Sequence, residues 1–269
     1  MLGKDCQSLP AGAALMGILN VTPDSFSDGG HYLWIEDAIR QAHLMVDEGA
    51  DLIDVGGEST RPGSSPVTVE VELKRIIPLI RRLSEEVSVP ISVDTSKPEV
   101  MKAAVEAGAA MINDICALRM PGALEQAHAL DVPVCLMHMK GIPATMQHAP
   151  VYIDVVQEVK AFLQQQVDRC LAAGISADKI VVDPGIGFGK RPEHNRRLID
   201  EIGVLLDLGQ PVLVGVSRKS FLPIKMTGPN RDRLSAQYAV QAVANGASLV
   251  RVHNVGMTAQ VLRESRNTV

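Results

Sequence analysis

Short apolar runs rich in β-branched residues recur eight times along the chain, and each ends in polar residues before a longer amphipathic segment begins. The runs lie at 15–20, 52–55, 90–95, 111–115, 134–138, 180–183, 212–217 and 249–253. Each is nearly continuous in apolar character instead of alternating, as expected for parallel strands covered on both faces by helices. Helical periodicity follows in segments such as 35–48, 69–86, 98–107, 153–173, 234–245 and 257–266. Gly49, Gly108, Gly174 and Gly246 stand where a left-handed C-terminal cap is wanted, and Asp178 and Ser235 are candidate N-terminal polar groups.

Eight strand-helix units in 269 residues, with no low-complexity stretch between them, predict an α/β chain folded as one (β/α)8 barrel domain over 1–269. A doubly wound open sheet is the alternative, but it needs fewer strands per sheet or a domain seam that the chain does not display. Two connections are long and rich in Gly, Pro, Ser and Asp: 22–33 after the first strand and 56–67 after the second. Loops of this kind at the C-terminal ends of barrel strands serve as lids and binding loops.

The 26 basic and 31 acidic residues give a net charge of −5, so nothing global attracts nucleic acid or an acidic membrane surface. Any anion site has to be local. Cys6, Cys116, Cys135 and Cys170 form no metal-ligand spacing and read as reduced thiols. The first thirteen residues lack a signal-peptide core, and no membrane span of roughly 18 residues is expected elsewhere. The expectation is a soluble, unexported, cytoplasmic protein.

In a barrel, the strand C-termini converge on one mouth. Here they carry Asn20, Asp54, Asp94, Asn113 with Asp114, His138, Asp183, Ser217 with Arg218 and Lys219, and Arg251 with His253. Any one of these could simply cap the next turn, and Asp54 and Asp114 are read that way. The set as a whole divides into two chemistries. Asp94, Asn113, Asp183 and Lys219 suit an edge of alternating donors and acceptors such as an amino-pyrimidinone. Arg61, Arg251 and His253 suit a phosphate or pyrophosphate, with Asn20 as an oxygen ligand for a divalent cation.

The stretches MGILNVTPDSFSDGG at 16–30 and DVGGESTRPG at 54–63 closely resemble the two signatures of the dihydropteroate synthase family. The resemblance continues through ISVDTSKPEV at 91–100, IND at 112–114, LMHM at 136–139, DPGIGFGK at 183–190, SRKS at 217–220 and RVH at 251–253. It implies a transferase of folate biosynthesis, the target of sulfonamides, that joins 6-hydroxymethyl-7,8-dihydropterin pyrophosphate to p-aminobenzoate. It further implies that Asp94, Asn113, Asp183 and Lys219 hold the pterin, with Met137 packed beside it. Asn20, Thr60, Arg61, Arg251 and His253 match the positions that handle pyrophosphate and Mg2+. Phe26, Pro62, Phe188, Lys219 and Ser220 would cover the aminobenzoate, and Asp28 would help organise the closed loops. A homodimer built from helices away from the mouth is also implied.

The matching family commonly has Asp after the Arg-x-His of the last strand, whereas this chain has Asn254, so weaker orientation of His253 and a modest loss of pyrophosphate affinity are expected. The implied chemistry is a cation-like substitution attacked by a neutral arylamine, with loop closure excluding water. A pterin-dependent methyltransferase barrel and a non-catalytic pterin-binding relative are the competing readings.

Overall fold

The structure is a computed structural model that describes residues 13–21, 31–60, 63–219, 221–222 and 228–266. Its strands are β1 (Ala14–Asn20), β2 (Leu52–Gly56), β3 (Ile91–Asp94), β4 (Met111–Asp114), β5 (Val134–Met137), β6 (Ile180–Asp183), β7 (Leu213–Val214) and β8 (Leu249–Val252). They form one parallel sheet in the order β6-β5-β4-β3-β2-β1-β8-β7. A parallel bridge between Val182 and Val212, with the Val182 N–H donating to the Pro211 carbonyl at 3.0 Å, joins the two ends. The sheet therefore closes into a barrel, and the open-sheet alternative falls.

The helices are α1 (His31–Asp47), α2 (Val69–Glu86), α3 (Pro98–Glu106), α4 (Ala123–Leu130), α5 (Val155–Ala172), α6 (Pro192–Asp200), α7 (Gly228–Ala244) and α8 (Val255–Arg266). Helix α1 starts four residues before the periodicity suggested, within the segment read as loop 22–33. Asp154 caps α5 by accepting from Val156 and Gln157 N–H, which moves that start two residues past the expected one. Helices α4 and α6 are not among those the pattern singled out. The first buries only Ala123 and Ala127, and the second is nine residues long with Leu198 and Ile199 as its buried apolar residues, so neither presents an extended apolar stripe. Ser235 is not an N-terminal cap, because α7 begins seven residues earlier, and Asp178 lies in a short 3-10 turn, Ala177–Lys179, ahead of β6. The four glycines expected after helices all take positive φ, between 93° and 112°.

Alternation along each strand sorts the core into two shells. Residues pointing outward, such as Ile53, Val93, Ile112, Leu136, Val182 and Val250, pack under the helices. Residues pointing inward at the N-terminal end form a separate plug that includes Met16, Leu52, Met111, Cys135, Val181 and Leu249. Two residues further along the same strands, the inward positions become Asp54, Asn113, Met137, Asp183 and Arg251. The fold thus has a dry floor and a polar layer directly above it.

Glycine turns after α1 and α3 differ in what surrounds them. A Cβ on Gly108 (φ 112°) would lie 2.5 Å from Ser84 Cβ, whereas one on Gly49 (φ 102°) would meet nothing within 4 Å. Gly49→Ala should cost only the backbone strain of about 1–2 kcal/mol, and Gly108→Ala should cost at least about 1 kcal/mol more through overpacking. Urea unfolding of the two variants checks the difference, and equal losses would contradict the packing argument.

Candidate active site

The polar layer is organised by Arg251. Its Nε donates to Asp54 Oδ2 at 2.6 Å and its Nη2 donates to Asp94 Oδ2 at 2.6 Å. Asn113 adds an Nδ2 donor to the same Asp54 oxygen at 3.1 Å. Asp54 is wholly buried, and its Oδ1 has no hydrogen-bond partner. The expectation that Asp54 caps a turn is therefore wrong: strand alternation turns it inward, to bind Arg251 and Asn113. Asp114 points outward and does cap its turn, accepting from Cys116 N–H at 2.7 Å and Leu118 N–H at 2.8 Å.

Above this layer lies a cavity lined by Thr60, Asp94, Asn113, Met137, Asp183, Phe188, Lys219 and Arg251. All eight were candidates from the sequence. Ile115, Gly185, Ile186 and Gly215 also line it and were not singled out. Met137 and Phe188 belong to an apolar cluster with Met139 and Met146, so apolar surface adjoins the charged groups of the cavity. Lys219 reaches over the Phe188 ring, with Nζ 4.2 Å from its centroid, a cation-π contact that fixes both side chains at the cavity edge.

Burial dominates the electrostatics. It raises the Asp94 carboxyl to about 7 against the pull of Arg251, and it raises Asp183, which is opposed by the Gly185 N–H bond and Lys219. Burial, then repulsion from Arg251, lowers Lys219 to about 8. Asp94 and Lys219 can thus change their proton occupancy near neutrality.

The DPGIGFGK turn is held from behind by Lys190, which the sequence reading missed. Its buried Nζ donates to the carbonyls of Gly185 (2.9 Å), Phe188 (3.0 Å) and His138 (3.3 Å) and lies 2.9 Å from His138 Nδ1, and burial pushes the lysine well below its usual range. Burial, with Lys190 beside it, drives the His138 imidazole down to about 2, so His138 is neutral and accepts. Gly185 (φ 67°) is irreplaceable here, since a Cβ would lie 1.9 Å from the His138 carbonyl oxygen. The signal in the sequence was the lysine closing a glycine-rich string, set aside because the string fits no nucleotide-loop spacing.

Asn20 ends β1 beside Gly56, where a Cβ would meet Asn20 Oδ1 at 3.4 Å and Asp94 Cβ at 3.4 Å; the missing side chain leaves the two facing each other across β2. His253 stands outside the described cavity lining, with its N–H and Nδ1 at 3.2 and 3.0 Å from Ser217 Oγ. Asn254 follows His253 at the start of α8. It caps α8 by accepting from Met257 N–H at 2.9 Å and donates to Asp232 at 3.0 Å. Phe26, Asp28, Arg61, Pro62 and Ser220 lie outside the described residues. Cys116, Cys135 and Cys170 are free thiols, as expected. No helix among the described residues is long and apolar enough to cross a membrane.

Removing Arg251 leaves two buried carboxylates without their cation. A carboxyl whose folded pKa is raised contributes stability at low pH that is lost as pH rises through that value. Arg251→Ala should therefore destabilise by about 3–5 kcal/mol at pH 8 and by less at pH 5.5, where Asp94 holds its proton. Denaturant unfolding at the two pH values measures this, and a loss independent of pH would contradict the assignment.

Residues 16–253 match the family model described as pterin binding enzyme. The dihydropteroate synthase of Escherichia coli K12 is 49% identical over 252 residues, covering 93% of this chain and 89% of that one. Among solved structures, Xanthomonas albilineans dihydropteroate synthase with 4-aminobenzoic acid superposes with a TM-score of 0.90 at 46% identity, covering 98% of this chain and 97% of that one. The same enzyme in complex with 7,8-dihydropteroate gives 0.87 at 44% identity, with the same coverage. Sequence, barrel and strand-end residues thus agree over nearly the whole chain, which belongs to the dihydropteroate synthase family of pterin-binding enzymes.

Proposed function

We propose that the cavity binds 6-hydroxymethyl-7,8-dihydropterin pyrophosphate and that the chain condenses it with p-aminobenzoate to give 7,8-dihydropteroate and pyrophosphate. The observation that carries this reading is the convergence of Asp94, Asn113, Asp183 and Lys219 on one cavity with an apolar wall. Two carboxylates accept from the amino and ring N–H groups of a pterin. The amide and the ammonium answer its carbonyl and ring nitrogens, and Met137 packs against its face.

In the reaction the bond between the pterin methylene carbon and a pyrophosphate oxygen breaks, and its electron pair leaves with the pyrophosphate. Arg251 lies at the cavity wall, where its guanidinium can favour that departing charge, and the ionised Asp94 and Asp183 favour positive charge on the pterin. The arylamine nitrogen then bonds to the methylene and gives up a proton. A neutral arylamine is already nucleophilic, so the site needs no covalent intermediate. Phe188 and Lys219 form the described part of the aminobenzoate seat. Roles for Arg61 in pyrophosphate binding, for Phe26, Pro62 and Ser220 against aminobenzoate, and for Asp28 in loop closure rest on family likeness alone, as does that of Thr60 beyond its place in the lining. His253 is held by Ser217 and is proposed to meet the pyrophosphate.

Mg2+ is proposed as the cofactor. Among the described residues no cluster of three or more His, Cys, Asp or Glu could cage a metal, but Asn20 offers one hard oxygen at the barrel mouth. That donor set fits an ion held mainly by substrate phosphates and water, where it would neutralise charge on the leaving group. Asn20→Ala should raise the Mg2+ concentration for half-maximal rate by about tenfold, and an unchanged requirement would remove Asn20 from the metal site. A homodimer is proposed on family likeness, supported by Leu171 and Leu206, which are exposed on α5 and the 3-10 segment Ile202–Leu208. A monomer at sedimentation equilibrium would contradict it.

The activity is tested by giving purified protein dihydropterin pyrophosphate and Mg2+ with and without p-aminobenzoate. Equimolar dihydropteroate and pyrophosphate are expected, whereas pterin binding without either product would favour a non-catalytic relative. Because Asp94 is ionised above about 7 and Lys219 is charged below about 8, kcat/KM for the pterin substrate should be bell-shaped with limbs near those values. Asp94→Asn should remove the acid limb and lower kcat/KM by about ten- to a hundredfold. Survival of that limb would take Asp94 out of the pterin site.

A further inference from the structure

Arg218, the residue before Lys219, is a non-glycine residue in the left-handed region, at φ 57°. Side chains of this size avoid that region unless their surroundings hold them there. Three residues from the early turns of α7 hold the backbone N–H, the carbonyl and the guanidinium of Arg218. Its N–H donates to Ser235 Oγ at 3.1 Å, its carbonyl accepts from Arg231 Nη2 at 2.8 Å, and its guanidinium makes two bonds to Asp232, Nε to Oδ1 at 2.8 Å and Nη2 to Oδ2 at 2.9 Å. Ser235 Oγ in turn donates to the Arg231 carbonyl at 2.8 Å, which ties the grip together. The Arg218 guanidinium holds the Asp232 carboxyl below its usual range, so Asp232 is charged at neutral pH.

The same carboxylate reaches the neighbouring strand end. Asp232 Oδ2 accepts from Asn254 Nδ2 at 3.0 Å, while Asn254 Oδ1 caps α8 just after His253. Ser217, on the other side of Arg218, lies 3.0 Å from His253 Nδ1. Two consecutive strand ends, β7 and β8, are thus fastened through one nearly buried acid on α7.

We propose that Asp232 is a positioning residue: by gripping Arg218 in its left-handed conformation and bonding Asn254, it turns Lys219 into the pterin cavity and fixes the segment that carries His253. This rests on the proposed placement of the pterin beside Lys219. The left-handed residue turns the backbone four residues after β7, and the side chain that follows it, Lys219, lies over the Phe188 ring. Asp232 itself does not line the cavity.

A double-mutant cycle separates positioning from general support. Binding of 6-hydroxymethyl-7,8-dihydropterin, which carries no pyrophosphate for the His253 segment to meet, is measured by calorimetry for the parent protein, Asp232→Ala, Lys219→Ala and the double variant. Asp232→Asn, which keeps the shape and part of the bonding, serves as the milder variant should Asp232→Ala fold poorly. Asp232→Ala should weaken binding by about tenfold or more, and in the Lys219→Ala background it should add no more than about twofold. Asp232→Asn should fall between the parent and Asp232→Ala. Equal weakening in both backgrounds would show mere structural support and overturn the proposal. Unchanged binding in Asp232→Ala, with weakened binding in Lys219→Ala, would also overturn it while leaving the pterin site in place. No weakening in Lys219→Ala would remove the pterin site reading, and this inference with it.

Discussion

The two hydrogen-bonded ion pairs that Arg251 makes with Asp54 and Asp94 sit in the centre of the barrel, and the organisation of the mouth depends on them. Parallel strands alternate their side chains, so a barrel of this size has an interior that has to be filled. This chain fills the lower half with Met16, Leu52, Met111, Cys135 and similar groups and the upper half with charge. Burying carboxylates is costly unless a cation answers them. One guanidinium with fork geometry answers both through separate, fixed N–H groups. Asp54 serves as the inner anchor, and Asp94 carries the charge to the cavity wall.

A polar layer arranged this way explains why the cavity is chemically mixed. Charges from β3, β6, β8 and the turn after β7 line it beside the apolar Met137 and Phe188. The turns beyond the strands are then fixed from outside the cavity. Lys190 gathers the carbonyls of the 183–190 turn, and α7 gathers the backbone of Arg218. Both devices place polar side chains behind a backbone that has to stay still while substrates pass in front of it.

Much of this was legible in the residues. Continuous apolar runs announced buried parallel strands, and the polar residues ending them named Asp94, Asn113, Asp183, Lys219 and Arg251 in the cavity lining, while Thr60, Met137 and Phe188 came from the family resemblance. Asp54 was misread because a polar residue near a strand end looks the same whether it caps a turn or faces the lumen. Strand parity decides the matter, and the alternation is masked when both faces are apolar. Helices α4 and α6 escaped because Ala-rich and charge-rich segments have little apolar periodicity. Lys190 and Asp232 were missed for a different reason: their roles come from packing between elements distant in sequence, which no local pattern encodes. The cap reading of Ser235 failed similarly, since its hydroxyl serves Arg218 seventeen residues away.

The central claim is that the charged layer is poised for a pterin edge, with Asp94 giving up its proton to accept from the ligand. Calorimetry of 6-hydroxymethyl-7,8-dihydropterin binding at pH 6.5, in buffers of different ionisation enthalpy, tests this most directly because the bare pterin carries no phosphate to titrate. The account predicts net proton release to the buffer that disappears in Asp94→Asn. Binding without buffer dependence in the parent protein, or release that persists in the variant, would contradict it.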